Sequence, residues 1–495
     1  MSKSIGKQAI QGWLCPALTP VNGNCDFAVL TEQLEHIDRI LEDSSVLTMA
    51  REFALQGLGK NARPQDIRKR IEIGERNFRC EFLRHKLGMP SFRDYSIRLA
   101  GDEVLSNFCK LRDIRGVRNT SKSVLDRASK FFTQEQLREM FELLTEVACS
   151  WEHHQDIGLT APVDSSFCLV DSTCLEANIH YPVDWVLLRD VSRTLLKAIK
   201  LIREKGKLLN RMPQGPRELA AKMNKLCQEM TLSHRRTDSR KLRKKVLRKM
   251  KTLLRQIGKH AQTHRDLLKS SQEQTDWSSK EVANILARMD KTLEQLPEVI
   301  HQAHERIIGG RKIKSDQKIL SIYDQDLNPI VRKKAGKEIE FGNGLFLAEN
   351  FEGFLLDYKL YQEYPPADSE QLLESLKRQE KYNTGEKLQM VVGDRQFDTR
   401  KVSNALKKSG IEDMNCPRNP VQLKERSGDT MFEMAQKRRS GTEARIAIIK
   451  NNGGRRWRAK GYTHRNIAVS FAALSHNLTW LANLQMAEAR IKLAA

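Results

Sequence analysis

A chain of 495 residues with 39% hydrophobic and 30% charged residues is globular and too long for one core, so about three domains are expected. A net charge of +23 and an isoelectric point near 9.6 point to a polyanionic partner, nucleic acid, because such an excess repels itself unless counter-charge is bound. Nine cysteines without a C-x2-C pair or a zinc-spaced histidine cluster exclude a zinc module and a disulfide framework, and no apolar run approaches membrane-spanning length. The N-terminus lacks an apolar signal core, so the expected location is the cytoplasm, with no membrane partner.

Residues 1–150 read as mainly helical. Residues 101–111 form an amphipathic helix with Val104, Leu105 and Phe108 inward, and residues 112–119 form a turn around Gly116. Thr120 or Ser121 can cap a second helix reaching Phe131. Thr133-x2-Gln136 then has the form of a capping box before a third, at 137–147. Helix, turn and helix in this order make a helix-turn-helix, offering Arg115, Arg118, Lys122 and Arg127 to DNA. An ordinary helical bundle would show the same spacing.

The apolar run Phe167-Cys168-Leu169-Val170 reads as a buried strand closed by Asp171. Residues 185–309 then turn almost wholly helical. Leu187, Leu188, Leu195, Ile199 and Ile202 line one helix; Leu242, Val246, Met250, Leu253 and Ile257 line another. The second carries about a dozen Lys or Arg between positions 235 and 259 against one Asp, which is more than a solvated face needs. Lys241, Lys244, Lys245 and Lys249 are its candidate contacts to the DNA backbone. A further helix is expected at 298–308, entered through Pro297 and ended by Gly309-Gly310.

Strands return at 319–323 and in a meander over 330–361, broken at Gly336, Gly342 and Gly353. A helix at 367–381 follows Pro365-Pro366. The run 388–393, centred on Met390, Val391 and Val392, is a second buried strand, closed by Asp394. A helix at 400–408, a short strand near Met414 and a helix at 439–450 carrying Glu443 complete the series. Three strands, then helix, strand, helix, strand, helix is the order of a ribonuclease H-like fold.

Strand-Asp, strand-Asp, helix-Glu suits a site that gathers carboxylates around hard divalent cations, which take oxygen ligands. Three packed carboxylates repel by about 4 kcal/mol per pair at 4 Å and an effective dielectric near 20. A cation removes that cost, and two cations about 3.5–4 Å apart can hold both oxygens of a phosphoryl displacement. Alone, each acid reads first as a residue that ends a strand or faces water. The neighbours of Glu443 shift that balance. At about 100° per residue, Arg439 lies about 40° and Lys450 about 20° from Glu443, so two cations and a carboxylate share one stripe. Ile446, Ile448 and Ile449 sit off the stripe and can dock the helix. A carboxylate flanked by cations suits a phosphodiester: the acid holds an ion and the bases hold flanking phosphates.

Asp171-Ser-Thr-Cys-Leu-Glu176-Ala-Asn178-Ile-His180-Tyr181-Pro182 resembles the first-aspartate motif of DDE transposases of bacterial insertion sequences, the ISNCY group in particular. Gly393-Asp394-Arg395-Gln396-Phe397-Asp398 resembles their second-aspartate motif, and Arg439-x3-Glu443-x6-Lys450 the tail of their Tyr-x2-Arg-x3-Glu-x6-Lys signature, with Gln436 at the Tyr position. The strand pair within 329–361, with Lys334-Ala-Gly336-Lys-Glu-Ile-Glu-Phe341-Gly342, and Ser475-His476-Asn477-Leu478 are also similar to that group.

The resemblance implies an α+β protein: a ribonuclease H-like mixed-sheet catalytic core at 160–184 and 310–484, an N-terminal all-helical DNA-binding domain at 1–150, and a long basic helical insertion at 185–309. It implies metal-dependent cleavage at element ends, then strand transfer into target DNA. Asp171, Asp394 and Glu443 would hold two Mg²⁺ ions, or Mn²⁺ in their place. Arg439, Lys450 and Arg395 would hold phosphates. The partners implied are double-stranded DNA, as terminal inverted repeats and target, and a second copy of the chain on that DNA, in a bacterial nucleoid. A ribonuclease H-like nuclease without strand transfer fits the same acids. A DNA-binding regulator derived from a transposase fits the basic helices.

Overall fold

The computed structural model describes residues 18, 23–59, 61–118, 120–314, 317–334, 337–382, 384–452 and 457–494. The chain divides into two compact units, Met1–Asn178 with Gly342–Ala495, and Ile179–Phe341. Both α-helices and a mixed β-sheet are present. No described helix is long and apolar enough to cross a membrane.

The first unit opens with helices α1 (Cys25–Asp43), α2 (Val46–Leu55), α3 (Pro64–Lys86), α4 (Phe92–Gly101) and α5 (Glu103–Phe108). A two-stranded ribbon follows, β1 (Arg112–Asp113) and β2 (Gly116–Val117), then α6 (Lys122–Ala128) and α7 (Gln134–Cys149). The expected capping box is formed: Thr133 Oγ1 accepts from the Gln136 amide while Gln136 Oε1 accepts from that of Thr133. The expected helix-turn-helix takes another form. Its turn is a β-ribbon pairing Arg112 with Val117, and the helices beside it are short. The Asp113 carboxylate accepts from the Arg115 amide at 2.8 Å, which closes the chain into a hairpin instead of an open turn.

Strand β3 (Phe167–Glu176) leads out of this unit, and the chain returns through β5 (Lys337–Glu349), whose hairpin partner is β4 (Asn328–Lys334). There follow β6 (Leu355–Leu360), α12 (Asp368–Gln379), β7 (Met390–Val392), α13 (Arg400–Lys408), β8 (Glu412–Asp413), α14 (Pro420–Arg426), α15 (Thr430–Asn452) and α16 (Tyr462–Ala494). Within the unit the strands lie side by side as β6, β5, β3, β7, β8. Antiparallel pairing joins the first three; parallel pairing joins β3 to β7 and β7 to β8. Close β3–β5 pairing depends on Gly342, because a Cβ there would collide with the Leu175 carbonyl.

The division differs from the expected one at about residue 150. One apolar core runs from Ile37, Phe78 and Phe141 of the N-terminal helices to Val170, Phe346 and Leu356 of the sheet. The physical reason is α16, whose buried Phe471, Ala472, Ala473 and Leu474 pack it against α1, α3, α7, α15 and β6. The Ser475-His476-Asn477-Leu478 segment fastens this helix. The Asn477 amide brackets the main chain of Leu355 at 2.9 and 2.8 Å, and His476 Nε2 meets the Gly353 carbonyl at 2.8 Å.

The second unit is built on α8 (Asp184–Glu204), α9 (Pro216–Leu232), α10 (Ser239–Ser270) and α11 (Ser279–His304). Helix α8 packs on each of the other three, and the two apolar stripes read from the sequence meet in one core. Two expectations need correction. Pro297 lies inside α11 and does not open a new helix; α11 starts at a Ser278–Glu281 capping box and runs past it. No strand forms at 319–323. The Gln302 side chain takes both the amide (2.8 Å) and the carbonyl (3.1 Å) of Ile319, so neither is left for a ladder. Gly336 lies outside the described residues.

Candidate carboxylate site

Asp171 does not end its strand, as its apolar run suggested. The strand β3 continues to Glu176, because β5 pairs with it as far as Glu176–Gly342. The run on the parallel neighbour is shorter than expected, and Asp394 lies two residues past Val392. The register sets Leu169 opposite Val392, and Asp171 on β3 and Asp394 just past the end of β7 each follow that pair by two residues. Leu169 and Val392 share an apolar cluster with Phe432 and Ala435 of α15, so α15 covers this face of the sheet. Alternation keeps Asp171 on the same face as Leu169.

Local structure holds each aspartate. Asp171 Oδ1 accepts from the Ser172 amide at 2.7 Å. Asp394 opens a turn: its Oδ1 accepts from the Gln396 amide at 2.7 Å and its carbonyl from the Phe397 amide at 3.1 Å. Gly393 is required ahead of it, since a Cβ would strike Asn415 Oδ1 and the Phe397 ring. Arg418 ties down the loop that follows, donating to the carbonyls of Arg395 (2.7 Å) and Gln396 (2.9 Å), while its amide donates to Asp398 Oδ2. The Arg395 side chain is exposed.

Helix α15, which covers this face, carries Glu443. Gln436 Nε2 donates to the carbonyls of Met414 (2.7 Å) and Gly393 (3.3 Å), and its Oε1 accepts from Arg439 Nε at 3.2 Å. The residue at the Tyr position of the signature thus clips the helix to the strand ends beside Asp394. Glu443 is seven residues on, about 20° around and about 10 Å along the helix, so it follows Gln436 on one stripe. Glu443 is exposed, Arg439 and Lys450 are half-buried, and Thr442, Ile446 and Ile449 face inward.

Glu349 is a further acid that the motifs did not show. It is fully buried opposite Leu169, and its charge is felt alongside that of Asp171. Thr442 Oγ1 donates to its Oε1 at 2.7 Å, and Arg445 Nε approaches its Oε2 at 3.4 Å. Burial pushes the Glu349 carboxyl up from its ordinary range, against the pull of Thr442 and Arg445. Glu349 follows the apolar run 345–348, the same pattern that marked Asp171 and Asp394, so the signal was present. Glu349→Ala should lower stability by about 1–3 kcal/mol, because Thr442 and Arg445 lose a buried partner. Glu349→Gln, which keeps an acceptor for Thr442, should lose less. Denaturant unfolding of both variants checks this, and equal stability of the Ala variant and the unaltered chain would mean that apolar contacts alone hold α15.

Among the described residues no three His, Cys, Asp or Glu side chains gather as a group able to hold a metal ion. Asp171 lies on β3, Asp394 just past the end of the neighbouring β7 and Glu443 on the covering helix, and the three do not gather as one group. Two carboxylates still suit Mg²⁺, which takes one or two from protein and fills its shell with water and substrate phosphate. The remaining candidates are surface groups. Arg118, just past β2, and Lys122, at the start of α6, are exposed. Lys241, Lys245 and Lys249 are exposed on α10, Lys244 is half-buried, and none of these four pairs with a carboxylate among the described residues.

No protein-family model matches the chain, and neither a curated protein nor a solved structure matches it.

Proposed function

We propose that the chain is a DDE transposase that cuts DNA at the ends of a mobile element and joins them to target DNA. The observation that carries this reading is that Asp171, on β3, and Asp394, two residues past the end of the adjacent parallel strand β7, follow the paired Leu169 and Val392, beneath the helix that carries Glu443 between Arg439 and Lys450. The order β3, β5, β6, α12, β7, α13, β8, α15 supports a ribonuclease H-like core. Asp171 and Asp394 would hold Mg²⁺, with Glu443 completing the set. When bound, the ion supplies Lewis-acid stabilisation of charge on the phosphoryl oxygens. Arg439, Lys450 and Arg395 orient the strand by its phosphates. Gln436 and Glu349 act through α15, fixing where Glu443 and Arg439 stand. No side chain serves as nucleophile: water attacks first, then the freed 3′-hydroxyl.

The basic face of α10 provides sequence-independent affinity in this reading. Replacing Lys241, Lys244, Lys245 and Lys249 by Gln should weaken binding to all duplexes about equally and flatten the log K against log salt slope by roughly 0.9 per lost contact. An unchanged slope would make this face a solvated surface. Arg118→Gln and Lys122→Gln should instead reduce discrimination between specific and random DNA.

A second reading, a DNA-binding regulator, is favoured by the exposed basic face of α10 and the exposure of Glu443. Assembly and cutting separate the two. A transposase must hold two ends at once, and a two-fold pair of chains is the simplest way to do so. Light scattering should show two chains with two end duplexes, and that complex should cut. A complex of any size that never cuts in Mg²⁺ or Mn²⁺ would favour the regulator; a one-to-one complex that cuts would favour a simple nuclease.

A further inference from the structure

A cleft of about 520 Å³ lies in the first unit, between the end of α3, the starts of α4 and α6, and the segment that leads into α16. Its apolar part is Phe92, half-buried, with the largely buried Trp457 and Ile467 behind it. Its two acids are already neutralised: Glu81 pairs with Arg84 at 2.8 Å and Asp126 with Lys130 at 2.9 Å. Arg93, Lys122 and Arg458 also line it, all exposed and with no carboxylate partner among the described residues. An apolar wall under surplus positive charge fits a ligand with a flat ring and a phosphate, and grooves for single-stranded nucleic acid combine the same two features. The volume lies in the range of small-ligand pockets. A duplex, whose major groove alone is about 12 Å wide, is too large for it.

The position of the cleft relates it to the carboxylates. Trp457 forms a parallel bridge with Ala177 just past β3: its amide donates to the Glu176 carbonyl at 3.2 Å, and its carbonyl accepts from the Asn178 amide at 3.3 Å. Its indole N–H donates to the Lys450 carbonyl at 3.2 Å. The wall of the cleft is therefore fastened to the strand that carries Asp171 and to the helix that carries Glu443. From Asp171 to Glu176 is about 17 Å of strand at about 3.3 Å per residue. That span matches about five nucleotides at the 3.4 Å axial rise of a stacked DNA strand, and fewer where an unpaired strand is extended.

We propose that this cleft receives an unpaired nucleotide of the DNA strand about three to five positions from the cut. The inference rests on the reading of the first unit as a DNA-cutting site, and it adds that the strand is unpaired beyond that site. The test is fluorescence anisotropy of the full chain with two DNAs of equal phosphate number, one a blunt duplex and one ending in a five-nucleotide single strand. The overhang should bind at least tenfold more tightly. Arg93→Gln with Arg458→Gln, both at exposed positions, should bring the ratio of the two affinities to about one. Equal affinity for both DNAs, or a preference that survives the double variant, overturns the proposal. Cutting of the blunt duplex alongside equal affinities would remove the cleft proposal alone. Failure to bind either DNA would remove the DNA-cutting reading as well.

Discussion

Asp171→Asn, Asp394→Asn and Glu443→Gln should each reduce strand cleavage by about a thousandfold or more while DNA binding stays close to that of the unaltered chain. Each substitution keeps the shape of the side chain and removes the charge that, in the proposed function, would hold a divalent ion. Lewis-acid stabilisation by such an ion is worth several kcal/mol, and each 1.4 kcal/mol is a decade of rate. Folding should be little affected. Asp171 and Asp394 are only half-buried, Glu443 is exposed, and the Ser172 and Gln396 amides that donate to the two aspartates can still donate to an Asn oxygen. Cleavage rates and binding affinities measured in parallel decide the matter. A variant that cuts at near-normal rate takes its residue out of the site. Glu443 faces the sharpest version of this test, because its exposure means that only bound DNA and metal can draw it into the set.

The largest loss of stability should follow Asp357→Ala, by about 3–5 kcal/mol, the usual cost of removing one partner from a buried ion pair. Asp357 is fully buried on β6. It accepts from Arg138 of α7 at 2.6 Å, from Arg378 of α12 at 2.7 Å and from the Ser375 hydroxyl at 2.5 Å. Removing the carboxylate takes from Arg378 its short ion pair, leaving Glu374 at 3.8 Å, and leaves Arg138 with Glu142 at 2.7 Å and the Tyr358 carbonyl, both guanidinium groups also reaching partly to water. Burial alone would raise this carboxyl; Arg138, Arg378 and Ser375 outweigh it and hold it below the ordinary range. The folded value is thus depressed below the unfolded one, about 3.9. The contribution is fully present above that value and is lost as pH falls through the folded one. Unfolding at pH 7 should show the full difference between the unaltered chain and Asp357→Ala, and the difference should shrink as the pH is lowered below about 4. A difference independent of pH would mean that packing, not charge, is what Asp357 provides.

Asp357 also shows why part of the fold was legible and part was not. The helix at 400–408, the buried runs before Asp171 and Asp394, the Thr133 capping box and the two stripes of the inserted helices all follow from local pattern, and all are present. What joins the N-terminal helices to the sheet is not local. Arg138 reaches Asp357, and α16 packs on α1, α3 and α7, across hundreds of residues with no periodic signature. Residues 319–323 carry strand-forming side chains, yet a glutamine on another element takes the backbone of Ile319. Pro297 marks a break by composition, but the helix around it is buried on both sides of the proline, at Gln295 and at Val299, and packing carries it through. At the site, the acids stood out because each follows an apolar run or lies on a charged stripe. Gln436, Thr442 and Arg418 did not, since their roles are hydrogen bonds to main chain or to a distant carboxylate that only the fold brings near.

The most direct test incubates the purified full chain with duplexes taken from the DNA on either side of its own coding sequence, together with a supercoiled plasmid. The reactions contain Mg²⁺, Mn²⁺ or a chelator. The account predicts metal-dependent nicks that leave 3′-hydroxyl ends, followed by covalent joining of those ends to the plasmid, with neither product in the chelator or in the Asp171→Asn variant. Cleavage that persists in the chelator, or duplexes that stay bound yet uncut in both metals, would contradict it.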